Sequence, residues 1–307
     1  MKNSLINDLT QTIGLDVGRS FVKVYSEYDG KVYSTIFPSI IGDSRSIKFD
    51  DYEYPICIND LFVGEIARKE SYNPTRNSSD SKTSLTVRTL IYAALSEVVK
   101  SNKVKIMLGV PNNMYKKSVL LDVINTYQNK MISIKNNIDN SSKNILIEAI
   151  DIFREADAVA YDVMRDKIND KDAAFISIGF RSSEISYFEK GMNYVDRLSK
   201  TISYANQDML GYVQNKLKDD YDITKELYEI DSNEGDYDEL KKMAYEIASE
   251  SFVQRIEGVI KNGFIETNVY IAGGTALNLT LDNRFNLVED PQMSVARGLY
   301  YVGTLVL

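Results

Sequence analysis

The alternation of apolar and polar positions predicts a chain in which strands are followed by helices. Three strands are expected at residues 12–17, 21–26 and 31–37, where β-branched and aromatic residues lie between turn formers. The stretch "PSIIGD" is expected to end the third strand as a turn, and "EYPICINDLFVG" to form a short strand pair. Apolar residues then recur at helical spacing over 85–100, which predicts a core-facing helix before the buried strand "VKIMLGVP".

The remaining elements continue this alternation. Ser, Asn and Thr dominate "SYNPTRNSSDSKTS" (71–84), which predicts an exposed loop. A helix is expected near 113–128, followed by the strands "MISIKN" and "NILIEAIDIF" and the helix "READAVAYDVMRDKI". The further elements expected are the strand-turn-strand "AAFISIGFRSSEISYF", the strand "NYVDRLS", helices near 204–217 and 237–261, the strand "NVYIA", and a final helix capped by Asp290 with Pro291 in its first turn.

Two short segments of the chain share one pattern of apolar, polar and glycine residues. Residues 13–20, "IGLDVGRS", and residues 174–181, "AFISIGFR", each place one polar and one apolar residue directly before a glycine. Because strands also alternate with helices, the pattern predicts an α/β protein built from two related halves.

The amino-acid composition limits where the protein is expected and which catalytic and metal sites it can contain. The chain is 44% hydrophobic, enough for sizeable cores, and it has neither an apolar run of bilayer length nor a leader pattern at its start, so a cytoplasmic protein without membrane attachment is expected. Histidine is absent, which excludes Ser-His and Cys-His nucleophile pairs and His-based zinc sites. The single cysteine, Cys57, lies in an apolar strand and is expected to be a core thiol.

The charge of the chain bears on its partners. A net charge of −8 argues against direct binding to nucleic acid, which attracts clustered Lys and Arg. A role on DNA therefore requires an adaptor. The acidic cluster "DSNEGDYDE" (231–239) is most simply a solvated loop, with a partner-binding segment as the alternative.

The first hairpin carries an acid and a base, Asp16 and Lys23. In an isolated hairpin such charges are typical of a solvated face. If the glycine turns of the two halves bind phosphate, their backbone N–H groups form a cradle, Lys23 neutralises charge, and Asp16 holds Mg²⁺ through its water shell. The residues that would permit or extend this cradle are Gly18, Ser20, Gly179, Ser182 and Ser183.

The sequence "GGTALNL" follows the strand "NVYIA" and offers a third element. Its two glycines, Gly273 and Gly274, would let a flat base and a ribose lie on the backbone at a helix start. A tight strand-to-helix turn without a ligand is the alternative. No sequence of the form GxxxxGK[ST] competes for the nucleotide.

Eight short motifs span essentially the whole chain: in order, they are "LDVGRSFVKV", "FPSIIG", "LFVGEIA", "VKIMLGVP", "FREADAVAYDV", "ISIGFRSSEIS", "YIAGGTALNL" and "EDPQMSVARGL". With these motifs in this order, the chain resembles the bacterial actin-like plasmid-segregation proteins of the ParM/StbA type. The resemblance implies an α/β actin-like ATPase fold, with two ribonuclease-H-like lobes and a nucleotide cleft between them. The lobes implied are residues 1–153 with 285–307, and residues 154–284.

The resemblance also implies a function and its residues. It implies a protein that binds ATP or GTP with Mg²⁺, polymerises into filaments, disassembles after hydrolysis, and moves plasmid DNA through a ParR-like adaptor bound to a centromere-like site. Glu155 falls where the family places the residue that orients the attacking water, and Asp16 where it places the acid that holds the metal through water. The implied nucleotide-binding residues are Asp16, Gly18, Arg19, Ser20, Lys23, Gly179, Arg181, Ser182, Ser183, Gly273, Gly274 and Thr275.

Two departures from the family pattern affect these expectations. The second phosphate loop usually has an aspartate where this chain has Ser177, so the metal site loses a formal charge and hydrolysis is expected to be slow. Glu184 keeps an acid in the loop, but on the next strand, and is expected to lie too far along to substitute. Between "ISYFEKG" and "NVYIAGG" there are few strand signals, so the outer part of the second lobe is expected to be reduced, as in the AlfA branch.

Two other functions remain open from the sequence. One is a non-polymerising small-molecule kinase of the same superfamily, although no motif for a substrate-side base is evident. The other is a nucleotide-binding filament scaffold with very slow hydrolysis, which Ser177 favours.

Overall fold

The computed structural model describes residues 9–47, 55–138, 140–165, 167, 170–232, 237–260 and 263–307. They form two compact units. The first contains the described residues up to Val110 together with Met114–Arg154 and Ala296–Leu307, and the second contains Pro111–Asn113 and Glu155–Val295. No helix among these residues has the length and apolar character needed to cross a bilayer.

The elements follow the predicted alternation along the chain. The strands are β1 (Gln11–Val17), β2 (Phe21–Tyr28), β3 (Lys31–Pro38), β4 (Ile40–Asp43), β5 (Ile56–Ile58), β6 (Leu61–Val63), β7 (Thr75–Arg76), β8 (Lys103–Val110), β9 (Lys130–Lys135), β10 (Ser142–Arg154), β11 (Asp172–Ile178), β12 (Ser183–Glu189), β13 (Asn193–Tyr194), β14 (Lys200–Ile202), β15 (Thr267–Ala272) and β16 (Phe285–Leu287). The helices are α1 (Glu65–Glu70), α2 (Leu85–Val98), α3 (Lys117–Tyr127), α4 (Glu155–Met164), α5 (Asn206–Tyr221), α6 (Leu227–Ser232), α7 (Asp238–Glu257), α8 (Gly263–Glu266) and α9 (Ser294–Val306).

The first unit is built on a six-stranded sheet in the order β3-β2-β1-β8-β10-β9. The centre of the sheet is parallel, because β1 and β10 both run alongside β8 in the same direction, and the outer pairs are antiparallel. Apolar residues fill β1 and β8, where Ile13, Leu15 and Ile106 have no exposed surface. Such continuous apolar strands are typical of a parallel sheet that is covered on both faces.

A smaller four-stranded sheet, β5-β6-β4-β7, belongs to the same unit. It corrects the expectation for "PSIIGD", because Ile40–Asp43 form β4 and pair with β6 instead of ending in a turn. Cys57 lies buried in β5, as predicted for a core thiol. Burial raises the pKa of this thiol, which keeps it protonated and unreactive.

The second unit repeats the central arrangement of the first. Its sheet has the order β13-β12-β11-β15-β16, with β14 paired to β12. Strand β11 is antiparallel to the next strand, β12, and parallel to β15, just as β1 is antiparallel to β2 and parallel to β8. The prediction of two related halves from the short pattern shared by residues 13–20 and 174–181 is therefore confirmed.

Several element boundaries differ from the prediction. Arg154 is the last residue of β10, and α4 begins at Glu155 without an intervening loop. In "NYVDRLS" only Asn193–Tyr194 pair as a strand, and Asp196–Leu198 form a 3₁₀ turn. Of the acidic cluster 231–239, residues 233–236 lie outside the described part of the chain.

The final helix starts later than predicted. Asp290 has a left-handed backbone with φ of 42°, and α9 begins at Ser294. The reason is a tertiary hydrogen bond, since the carbonyl of Pro291 accepts from the Gly273 N–H at 2.7 Å. Residues 290–293 are thus used as a turn that holds another loop, and the predicted cap at Asp290 is wrong.

The stretch 71–84 is also more ordered than an exposed loop. It contains β7, and it buries the side chains of Asn77 and Lys82, which are 3% and 8% exposed. A Ser- and Asn-rich composition does not distinguish a solvated loop from a segment whose side chains bond to buried backbone. The prediction of exposure is therefore wrong for Asn77 and Lys82, whereas Ser78, Asp80 and Ser81 are exposed as predicted.

Helix α9 packs directly on the backbone of β1 at Gly14. A Cβ atom at this position would overlap the carbonyl oxygen of Ala296 and the amide nitrogen of Tyr300, both backbone atoms of the C-terminal helix. We expect Gly14→Ala to lower the free energy of unfolding by about 3 kcal/mol, because neither backbone can retreat without unpacking the core. Denaturation in urea would measure the change.

Gly211, in the middle of α5, provides the matched control. A Cβ atom at this position meets nothing within 4 Å, so Gly211→Ala is expected to stabilise the protein by about 0.5–1 kcal/mol through helix propensity. Equal stability of the two alanine variants would show that α9 does not lie against Gly14.

Candidate nucleotide site

The turn between β1 and β2 brings the acid and the base of the first hairpin together. The Gly18 N–H donates to the carbonyl of Phe21 at 3.1 Å and closes the turn. Asp16 and Lys23 are consequently direct cross-strand partners, and the Lys23 Nζ donates to Asp16 Oδ2 at 2.8 Å. The two charges thus form an ion pair on one side of the sheet, at the end of β1.

This ion pair is largely removed from solvent. The side chains of Asp16 and Lys23 are 6% and 15% exposed, which does not match the solvated face that an isolated hairpin would present. The second carboxylate oxygen, Asp16 Oδ1, is buried and has no hydrogen-bond partner among the described residues. A buried carboxylate oxygen with spare acceptor capacity fits a ligand that carries protons or positive charge.

Gly18 is required at the turn for steric reasons. A Cβ atom here would lie 2.9 Å from the Phe21 carbonyl oxygen and 3.4 Å from the Lys23 Nζ. Any side chain would therefore push against the hydrogen bond that closes the turn and crowd the ion pair.

The side chains of Arg19 and Ser20 are engaged within their own unit. The guanidinium of Arg19 donates to the Ser78 carbonyl and pairs with Asp80. The hydroxyl of Ser20 accepts from Arg76 Nη2 at 2.5 Å. At Arg19 and Ser20 it is therefore the backbone that can contact a ligand.

The turn between β11 and β12 has the same backbone geometry in the second unit. The Gly179 N–H donates to the Ser182 carbonyl at 3.0 Å, which matches the bond from Gly18 to Phe21. The residues corresponding to the ion pair are Ser177 and Glu184, which face each other across the ladder. In the second unit a hydroxyl therefore takes the place of the acid, and an acid the place of the lysine.

The position of Glu184 corrects an expectation. It does not lie too far along the strand, because the four-residue turn folds β12 back and sets Glu184 directly opposite Ser177. Its side chain is buried and accepts hydrogen bonds from Ser182 Oγ at 2.9 Å, Thr201 Oγ1 at 2.7 Å and the Asn112 N–H at 3.1 Å. Sequence spacing alone could not identify these hydrogen bonds, since two of the three donors, Thr201 and Asn112, come from other parts of the chain.

The other residues expected in this turn differ in their exposure and in their hydrogen bonds. Gly179 and Arg181 are exposed, whereas Ser183 is buried and its hydroxyl donates to the Tyr204 carbonyl at 2.7 Å. Ser182 is partly exposed and is held by its bond to Glu184. The Ser183 hydroxyl therefore supports the loop from within.

The "GG" segment lies against the second turn within the same unit. Gly273 has φ of 94°, and a Cβ atom there would overlap the backbone of Ile178 at the end of β11. The hydroxyl of Thr275 donates to the Gly179 carbonyl at 3.0 Å. Gly274 follows as the first residue of a 3₁₀ turn, next to the side chain of Gln292. The second unit thus brings Gly179, Gly273 and Thr275 together.

Glu155 is the first residue of α4 and directly follows β10. Its side chain is partly exposed, and its position at the helix N-terminus favours the ionised carboxylate. Asp157, two residues further along the chain, is buried and accepts a hydrogen bond from the Ser186 hydroxyl. Of the two acids at this helix start, Glu155 is the one with access to solvent.

A metal at these residues would depend mainly on the nucleotide. Among the residues that the structure describes, no group of three or more Cys, Asp or Glu side chains is placed to hold an ion. Mg²⁺ commonly retains several waters and uses one or two carboxylates together with substrate phosphates. The buried, unpartnered Oδ1 of Asp16 fits such an ion.

Comparisons with known proteins agree with this architecture. Residues 14–156 match the family described as actin like proteins N terminal domain. The crystal structure of an archaeal actin homologue superposes with a TM-score of 0.79 at 15% identity, covering 96% of this chain and 100% of that one. No curated protein is significantly similar to the chain in sequence.

Two ParM structures are also similar. A 15-stranded ParM filament from Clostridium botulinum has a TM-score of 0.79 at 19% identity, covering 96% of this chain and 99% of that one. Bacillus thuringiensis ParM with AMPPNP has a TM-score of 0.66 at 12% identity, covering 96% and 99%. The archaeal homologue has in addition been solved in complex with ADP.

The chain therefore has the actin-like fold, and its residues 14–156 match the N-terminal domain of actin-like proteins. The resemblance to the ParM type of actin-like protein, predicted from the sequence, is confirmed at the level of the fold.

The ion pair in the first turn leads to a stability prediction. Asp16→Asn keeps the shape of the side chain but leaves the partly buried Lys23 without its carboxylate, so we expect a loss of about 2 kcal/mol in the free energy of unfolding. The exposed pair Lys216–Asp220, at 3.2 Å, is the control, because Asp220→Asn should leave the free energy of unfolding close to that of the wild type. If urea denaturation gave equal losses for both variants, the Asp16–Lys23 pair would contribute no more than a surface pair.

Proposed function

We propose that the protein binds ATP or GTP together with Mg²⁺ and hydrolyses it. The observation that carries this proposal is the repeated turn, in which Gly18 and Gly179 make the same closing hydrogen bond in the two units. Paired glycine turns that present backbone N–H groups are suited to phosphate oxygens. Two similar structures were solved with ADP and with AMPPNP, which is compatible with this ligand class.

The proposed roles follow from the geometry within each unit. Lys23 neutralises phosphate charge, and its bond to Asp16 fixes the direction of its ammonium group. Asp16 would hold Mg²⁺ through water, and the ion would supply charge neutralisation for the phosphates. The turns at Gly18 and Gly179 contribute backbone donors, and the proposed nucleoside-binding residues are Gly273, Gly274 and Thr275.

Glu155 is proposed to orient the attacking water. A solvent-accessible carboxylate can accept a proton from water, and the first turn of a helix is a favourable place for a carboxylate. The proposal rests on the resemblance for the role of the residue and on this placement for its chemistry.

The proposed cellular role is filament assembly for DNA segregation. The likeness to a ParM filament supports assembly by head-to-tail contacts, since heterologous interfaces that do not close produce open polymers. The net charge of −8 supports an indirect link to plasmid DNA, through a ParR-like adaptor bound to a centromere-like site.

Hydrolysis is proposed to be slow. Ser177 offers a hydroxyl where the family has an aspartate, and the acid opposite it, Glu184, already accepts three hydrogen bonds from neutral donors. This observation favours a filament whose assembly depends on nucleotide binding and whose turnover is limited by weak metal binding.

Electron microscopy and sedimentation with Mg-ATP, Mg-GTP or no nucleotide would test the proposal. We expect filaments and a pellet with at least one triphosphate at tens of micromolar protein, on the order expected for moderate interfaces. Glu155→Gln should still assemble but release phosphate at least about 100-fold more slowly, so its filaments should persist.

Two results would contradict the proposal. One is calorimetry without heat of binding for any purine triphosphate. The other is transfer of phosphate to a small-molecule acceptor by a protein that never sediments, which would favour a kinase of the same fold.

Position 177 gives a second prediction about hydrolysis. Ser177→Asp should raise Mg-dependent phosphate release about tenfold or more, because it restores a charge to the metal site. Without divalent cation the same variant should be less stable than the wild type, since the new carboxylate faces the buried Glu184.

Ser177→Asn is the matched control, because it has nearly the volume of aspartate without the charge. We expect neither faster phosphate release nor a stability gain from Mg-nucleotide beyond that of the wild type. An aspartate variant that binds nucleotide but hydrolyses it at the wild-type rate would mean that the metal site does not include position 177.

A further inference from the structure

The segment 76–82, which begins at the last residue of β7, contacts the turn of the first unit that is proposed to bind phosphate and bonds to its backbone carbonyls. The side chain of Asn77 donates to the carbonyl of Gly18 at 3.1 Å. Arg76 Nε donates to the Arg19 carbonyl at 3.0 Å. Lys82 Nζ donates to the carbonyl of Val17 at 3.3 Å. Three consecutive carbonyls of the turn are therefore bonded to this one segment.

The remaining polar groups of the turn divide into two sets. The Ser20 carbonyl accepts from the Ser39 N–H at 2.8 Å, so the carbonyl side of the turn is fully bonded. The N–H groups of Arg19 and Ser20, in contrast, have no acceptor among the described residues. The turn thus combines fixed carbonyls with available N–H donors, which is the arrangement an anion requires.

The segment is itself anchored at both ends. The Asn77 N–H donates to the Ser39 carbonyl at 2.8 Å, and the Tyr127 hydroxyl donates to the Lys82 carbonyl at 2.8 Å. Burial raises the pKa of Tyr127 well above its ordinary value, so the hydroxyl remains a proton donor. Side chains held in this way can fix the turn without large motion of their own.

The buried positive charge of Lys82 in this segment also favours an anion bound at the turn. Lys82 is 8% exposed, and its ammonium has only the Val17 carbonyl as an acceptor within the described chain. A buried cation without a carboxylate partner is costly unless an anion is nearby. A phosphate on the turn would supply one.

We infer that the segment 76–82 is a positioning element for phosphate recognition, which holds the carbonyls of residues 17–19 back so that the N–H groups of Arg19 and Ser20 can bind phosphate oxygens. The inference rests on the proposed nucleotide binding and deepens it. Arg76, Asn77 and Lys82 act through the turn and are positioning residues.

Calorimetry with Asn77→Ala tests this inference. The ligands are the purine triphosphate that the wild type binds, its diphosphate and the corresponding nucleoside, each with Mg²⁺. We expect affinity for the two phosphorylated ligands to fall about tenfold, as for the loss of one preorganising hydrogen bond, and affinity for the nucleoside to stay within about twofold.

Gln11→Ala is the matched control. Gln11 is also a buried carboxamide that bonds to backbone, donating to the Val98 carbonyl and accepting from the Lys100 N–H. It lies at the other end of β1, roughly 20 Å from Val17. This variant should lose stability but keep the wild-type affinity for all three ligands.

Lys82→Met provides a second variant that is close in shape and adds no buried charge. It should likewise lose affinity for the phosphorylated ligands alone. Wild-type affinities in both variants, or equal losses for nucleoside and diphosphate, would overturn the inference while leaving nucleotide binding intact. A wild-type protein that binds no nucleotide would overturn the proposed function and the inference together.

Discussion

The hydrogen bond from the Gly18 N–H to the Phe21 carbonyl sets the register on which the first half of the site depends. Because it closes a turn of four residues, Asp16 must face Lys23 across the ladder. A shift of one residue would turn one of these side chains to the other face of the sheet and separate the pair. The placement of the acid proposed to hold the metal, of the lysine and of the backbone donors follows from this single closure.

The second unit separates the role of the backbone from that of the side chains. Its turn repeats the closing bond at Gly179, yet Ser177 and Glu184 replace the acid and the lysine. Backbone donors serve phosphate whatever the side chains are, whereas metal binding depends on the number of carboxylates. The repeated turn therefore argues for nucleotide binding, and the changed pair argues for slow hydrolysis.

Much of the fold and the core of the site follow from the sequence, because their signals are local. The strands around Gly18 and Gly179, the acid and base of the first hairpin, and the glycines at 273 and 274 are all visible in short patterns. The contacts of the segment 76–82 and the donors that hold Glu184 are not, since these bonds join residues far apart in the chain. The turn at Asp290 was missed for the same reason, because a distant glycine determines it.

Both turns have their carbonyls held, but by unrelated elements. In the first unit the donors come from the segment 76–82. In the second they come from Thr275, which donates to the Gly179 carbonyl, and from the start of α5, where the Gln207 N–H donates to the Phe180 carbonyl at 2.8 Å. The carbonyls of both turns are hydrogen-bonded, although the donors differ between the two units. This indicates that the conformation of the turn is the constrained feature. The donors can then vary in type and origin as long as the carbonyls stay bonded.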